Sequence, residues 1–274
     1  MKLFRNIILA LSVLIIFTFS SCSKVENVAF GEEIPVSYSV ALPDTKSVNA
    51  DGSAINMVWF ALYNMDDATL ATNYAPVEFR NGSAHCEVVM MRGHSYKIVF
   101  VAQHFKNSST PTYPIDWKSA VVGLPEAPVA NSDQMDLFYG VEEVVNYNGT
   151  DTGSIMLDRA VAMMNFICND TDWTNAVSKP THSSVTLSGV PKHWNLLSGE
   201  FSEQTTELNF AKAEIPAEKH LGAVFCIATG EIAATLKLYN SADDTADPIK
   251  TLTIPGVKVE RNKKSNIIGT LITE

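Results

Sequence analysis

A chain of 274 residues with 46% hydrophobic and 18% charged residues has ample material for a core, which excludes disorder, and its length suits one large β domain or two of ordinary size. The formal charge of -10 disfavours nucleic acid as a partner, because lysines and arginines are scattered except at Arg261 to Lys264.

The N-terminus gives an address. Lys2 and Arg5 precede an uncharged apolar run from Ile7 to Phe19, thirteen residues where a bilayer span needs about 20, so residues 1–21 read as a signal peptide. The segment Ser20-Ser21-Cys22-Ser23 resembles the lipobox of bacterial lipoproteins, which implies that Cys22 is acylated and becomes the first mature residue. In an ordinary secretory signal Cys22 would be incidental. Loss of residues 1–21 removes two bases and no acid, moving the formal charge from -10 to -12. Residues 22–33 read as a polar tether.

Strand patterning begins at 34–42, where Ile34, Val36, Tyr38, Val40 and Leu42 alternate with smaller or polar residues. Residues 55–63 are apolar on both faces, the mark of a strand covered from both sides. Short strands follow at 68–72 and 77–79, then a turn at Asn81-Gly82 and two stronger strands at 84–91 and 96–103. Four prolines (Pro111, Pro114, Pro125, Pro128) make 106–133 an irregular crossing with one helical turn near 117–121. Strand character returns at 135–145. Residues 146–153 are so rich in turn formers that the domain boundary is expected there, dividing 34–150 from 151–274. Beyond it, strands are expected at 155–168 (broken by Asp158-Arg159), 184–187, 223–229, 232–239, 250–254 and 266–273. Residues 203–213 favour a helix, weakened by Thr205-Thr206. Many short strands with regular turns make the fold class all-β.

No serine elbow, dinucleotide fingerprint or phosphate loop is present, and the six histidines never fall at helical zinc spacing. Loop acids at 169–172 and 243–247 lack the glycine and closing glutamate of a calcium loop. No metal or other cofactor and no catalytic residue is assigned. Cys86, Cys168 and Cys226 lie in strand-like runs and read as buried thiols, of which at most one pair could form a disulfide. Trp59 reads as core, whereas Trp117, Trp173 and Trp194 fall in loop-like segments and could build a glycan platform.

Five segments, in order behind the lipobox, carry a family resemblance: RGHSYKIVFVAQ (92–103), MDLFYG (135–140), LDRAVA (157–162), SGVP with NLLSG (188–199) and VERNKKSNIIGTLIT (259–273). Together they resemble the fimbrillin-type lipoproteins of Bacteroidales, the stalk, anchor and tip subunits of type V pili, with Ala160 and Val101 standing where relatives often have proline and tryptophan. The resemblance implies two β-sandwich domains of transthyretin-like, Greek-key topology. It also implies a non-enzymatic outer-membrane lipoprotein that joins other fimbrial subunits by donor-strand exchange, in which an extended segment completes a neighbour's sheet. A glycan-binding surface lipoprotein for nutrient capture is the alternative. In related stalk subunits a protease, often cutting after arginine, removes the first strand. Here no arginine lies between Arg5 and Arg80 and the following loop offers only Lys46, so the strand at 34–42 is expected to stay, as in an anchor.

Overall fold

The computed structural model describes residues 31–43, 52–107, 110–150, 152–170 and 179–270. The signal peptide, Cys22, residues 22–30 of the tether, Lys46 and Trp173 lie outside them.

Period-two patterning becomes strand almost wherever it occurs. In the first half, β1 (Glu33–Ala41) lies between β5 (Ser83–Met91) and β10 (Thr152–Met156), antiparallel to one and parallel to the other. The opposing sheet runs β11 (Asp158–Arg159), β9 (Leu137–Val144), β6 (Tyr96–Gln103), β2 (Met57–Asn64), β3 (Leu70–Asn73), with β4 (Val77–Glu78) also on β2. The second half repeats this plan. There β12 (Ala162–Cys168) lies between β16 (His220–Cys226) and β19 (Lys264–Gly269), facing a sheet ordered β15 (Thr205–Glu214), β13 (His182–Pro191), β17 (Gly230–Tyr239), β18 (Lys250–Val259). The parallel pair β12/β19 corresponds to β1/β10, and the antiparallel pair β12/β16 to β1/β5. Two all-β sandwiches of one topology therefore follow each other, a repeat of connectivity that residue identities hide.

Each sandwich has its own core, with Val40, Phe60, Val88 and Phe100 in the first and Phe166, Leu187, Val224 and Leu236 in the second. A third cluster lies between them. Ala61, Tyr63, Val99 and Val101, on the outer face of β2 and β6, meet Met163, Ala223 and Phe225 on the outer face of β12 and β16. The doubly apolar pattern of β2 is thereby explained: Val58, Phe60 and Leu62 face the first core and Ala61 and Tyr63 the central one.

The proline-rich crossing fills this centre. Its β7 (Ile115–Asp116) and β8 (Val121–Gly123) join β14 (His193–Asn195) of the second half in a small sheet, with Trp194 opposite Val122. Where a helical turn was expected, residues 117–120 make a hydrogen-bonded turn that is not helical, closed by Ala120 N–H donating to Trp117 O at 3.3 Å, with Ala120 at a φ of 53°. The Tyr63 hydroxyl donates to Trp117 O at 2.6 Å, and buried Gln103 both donates to and accepts from the Tyr113 backbone.

Three further expectations change. Residues 205–214 form β15, not a helix: Leu208 and Phe210 are buried while Glu207 and Asn209 are exposed, a period of two that the Thr205-Thr206 pair favours. Met135 closes a short 3-10 turn (Asp133–Met135) ahead of β9 instead of beginning the strand. The turn-rich window at 146–153 falls inside the first sandwich. It leads into β10, whose Ile155 packs on the first core, as does Leu157 just beyond it, and the chain passes to the second sandwich at Ala160-Val161, both buried.

Candidate functional site

The element that stands out by position is β1, the first described strand and the middle strand of its sheet. Nine of its residues pair with β5 and five with β10, from Ser37 opposite Thr152 to Ala41 opposite Met156. Alternation does the rest: Val36, Tyr38 and Val40 are at most 4% exposed, while Ile34 and Leu42 are half-buried against the same core. The Tyr38 ring lies 5.5 Å from that of Phe100 and fills the space left by Gly153, where a Cβ would sit 2.4 Å from Tyr38 Cε1. Burial, helped by Glu142 and then Tyr147, pushes the Tyr38 phenol up to about 12.

Taken out, β1 would leave a groove floored by Val88, Phe60, Ile98 and Phe100 and edged by the backbones of β5 and β10. The outer edge of β5 is closed differently. The Tyr74 hydroxyl accepts from Val89 N at 3.0 Å and the Tyr96 hydroxyl from Met91 N at 3.2 Å, which blunts that edge against stray pairing.

A feature missed from sequence lies at the passage between the halves. Asp136, fully buried, accepts Arg159 Nε at 2.9 Å and Nη2 at 3.0 Å, and the guanidinium also sits 5.2 Å over the Phe138 ring. Burial pushes the Asp136 carboxyl up to about 6, while Arg159 pulls it down. Both residues belong to segments quoted above, MDLFYG and LDRAVA. The available signal was the charge inside each apolar run, Asp136 in one and the Asp158-Arg159 pair in the other.

The aromatic platform is not formed by the tryptophans that can be placed. Trp194 and Trp117 are buried in the central cluster, and half-buried Trp59 packs its ring 5.6 Å from that of Trp117. Cys86, Cys168 and Cys226 are buried and form no disulfide among the described residues, and burial pushes Cys86 and Cys226 up to about 12. Among the described residues no group of three His, Cys, Asp or Glu side chains could hold a metal ion, and no helix is long and apolar enough to cross a membrane.

Fold and site together define a tandem β-sandwich protein with its first strand set in mid-sheet. The family of unknown function DUF6562 matches residues 26–274, and the chain belongs to that family. No curated protein matches it. Among solved structures, a candidate cell adhesion protein from Parabacteroides distasonis superposes with a TM-score of 0.51 at 12% identity, covering 88% of this chain and 90% of that one. A candidate adhesin from Bacteroides ovatus gives 0.50 at 12% identity, covering 86% and 87%. These two likenesses show the shared fold. A fimbrial assembly protein from Parabacteroides distasonis gives 0.48 at 14% identity, covering 87% and 92%.

Proposed function

We infer that this chain is a non-enzymatic cell-surface lipoprotein, held in the outer membrane through acylated Cys22 and serving as a subunit or anchor of a fimbrium of the type V kind. The observation that carries the reading is the place of β1. A strand near the start of the chain, central in its sheet and paired on both edges, is one that a strand from another subunit could replace by the same hydrogen bonds and side-chain pockets. The adhesion names of the two superposing structures support the same reading. The two structural units are taken as 34–159 and 162–270. The lack of an arginine between Arg5 and Arg80 favours an anchor that keeps β1 over a stalk subunit that loses it.

Cys22→Ser tests the tether. Without the thiol no acyl chain attaches, and stable anchoring takes two or more chains, so the variant should leave the membrane fraction. Electron microscopy of cells with and without the chain tests the assembly: loss or detachment of surface fibres is expected, and unchanged fibres would contradict the role.

A further inference from the structure

The register of β9 places one charge where an apolar residue belongs. Phe138 and Val144 face the first core, and a Cβ on Gly140 would meet Leu157 Cδ2 at 2.8 Å and Ile155 Cδ1 at 2.9 Å, so this is the inward side of the strand. Glu142 stands on that side and forms no ion pair among the described residues, whereas its neighbour Glu143 is paired with Lys97 at 2.7 Å. Glu142 points into the mouth of the sandwich, where β9 and β10 part. A cleft of about 330 Å³ opens there, with Val36 and Met90 on its floor and Tyr38, Glu142, Asn148 and Thr152 around it.

An inward charge alone could simply guard an open edge. The second observation is Tyr38: it is 4% exposed and lines this cleft together with Glu142. A carboxylate without an ion pair among the described residues, beside a phenol at the mouth of an apolar sandwich, suits one kind of guest. A lysine side chain would lay its methylene stem on Val36 and Met90 and bring its ammonium to the carboxylate and the phenol oxygen.

The chain itself carries a matching donor. Its single run of bases, Arg261 to Lys264, lies at the turn into β19. Arg261 is engaged 4.9 Å over the Trp194 ring, but Lys264 is exposed and the Lys263 side chain is 64% exposed, with Glu260 at 3.7 Å. We propose that the cleft is a socket for a lysine of a second copy of this chain, supplied by Lys263 or Lys264 of the 260–264 turn. The contact joins the first sandwich of one copy to the second of the next, a head-to-tail arrangement that does not pair one patch with itself. It rests on the assembly reading above and names a partner surface for it.

The test titrates the mature chain bearing Cys22→Ser with a synthetic peptide of residues 259–267, followed by calorimetry. Saturable binding is expected, weakened about tenfold or more by Glu142→Gln, severalfold by Tyr38→Phe, and about tenfold when both peptide lysines are replaced by glutamine, with affinity falling as salt is raised. Circular dichroism confirms that both protein variants are folded. No binding by the parent, or equal binding by Glu142→Gln, overturns the socket. Replacement of β1 by a strand from another subunit is measured separately and bears on the fimbrial reading alone.

Discussion

Gly153→Ala probes the seat of β1 at the point where its packing is closest. Gly153 pairs with Tyr38, and a Cβ there would lie 2.4 Å from Tyr38 Cε1 and 2.8 Å from Cδ1 and Cζ. The ring cannot turn away freely, because it packs 5.5 Å from Phe100 in a core that includes Val40 and Ile98. Overpacking of this kind costs about 1–3 kcal/mol, and a loss of ~2 kcal/mol in a protein of this size lowers Tm by about 4–8 °C. Tyr38→Ala by itself costs more, roughly 3–5 kcal/mol, because it leaves a cavity. In that background the added methyl has room, so Gly153→Ala should cost less than about 0.5 kcal/mol and the double-mutant cycle should return a coupling near 2 kcal/mol. Urea unfolding of the four proteins measures it. A Gly153→Ala variant as stable as the parent, or equally destabilised with and without the Tyr38 ring, would refute the placement of β1 against β10.

Asp136 sets a pH dependence of definite sign. Its carboxyl is raised from 3.8 to about 6 in the fold, so the native state holds that proton more tightly than the unfolded chain; the stabilisation is full below about pH 4 and is lost as pH rises through 6, roughly 3 kcal/mol in all. Asp136→Asn should flatten this part of the urea-unfolding profile, and an unchanged slope would assign it elsewhere. Cys86, Cys168 and Cys226, all buried, should resist a thiol reagent at pH 8 until urea unfolds the chain; fast reaction of any in the native state would place it outside a core. Limited proteolysis should nick the 145–150 segment, exposed at Val145, Asn146, Asn148 and Thr150 though Tyr147 is buried, before the buried passage at Ala160-Val161, with both pieces co-eluting because β10 stays paired with β1; separation of the pieces would mean that β10 does not belong to the first sheet.

Strands were legible wherever one face is buried, as at β1, β5 and β6, because a period of two records which side meets the core. The mistaken helix at 203–213 shows the limit: β15 is a sheet edge with Leu208 and Phe210 as its fully buried side chains, too few for the period to stand out from Glu and Thr propensities. The boundary was misread for a related reason. Turn formers at 146–153 mark a change of direction, and nothing local says that the next strand returns to pair with β1. The central cluster was half visible in the two-sided apolarity of 55–63. Its other wall, Met163, Ala223 and Phe225, lies a hundred residues or more away and is brought there only by the fold. Asp136 and Arg159 each looked like an interruption of an apolar run until the structure set them 2.9 Å apart. Of the candidate site, the side-chain alternation of β1 was readable, but its place between two strands was not.

The mature N-terminus of the protein recovered from assembled surface fibres tests the anchor role most directly. Mass spectrometry should find acylated Cys22 with β1 intact, since Lys46 is the one basic residue in the loop that follows and no arginine stands there to be cut. A mature end near Ser47, with residues 34–42 missing, would contradict the anchor role and make the chain a subunit whose groove is filled by its neighbour.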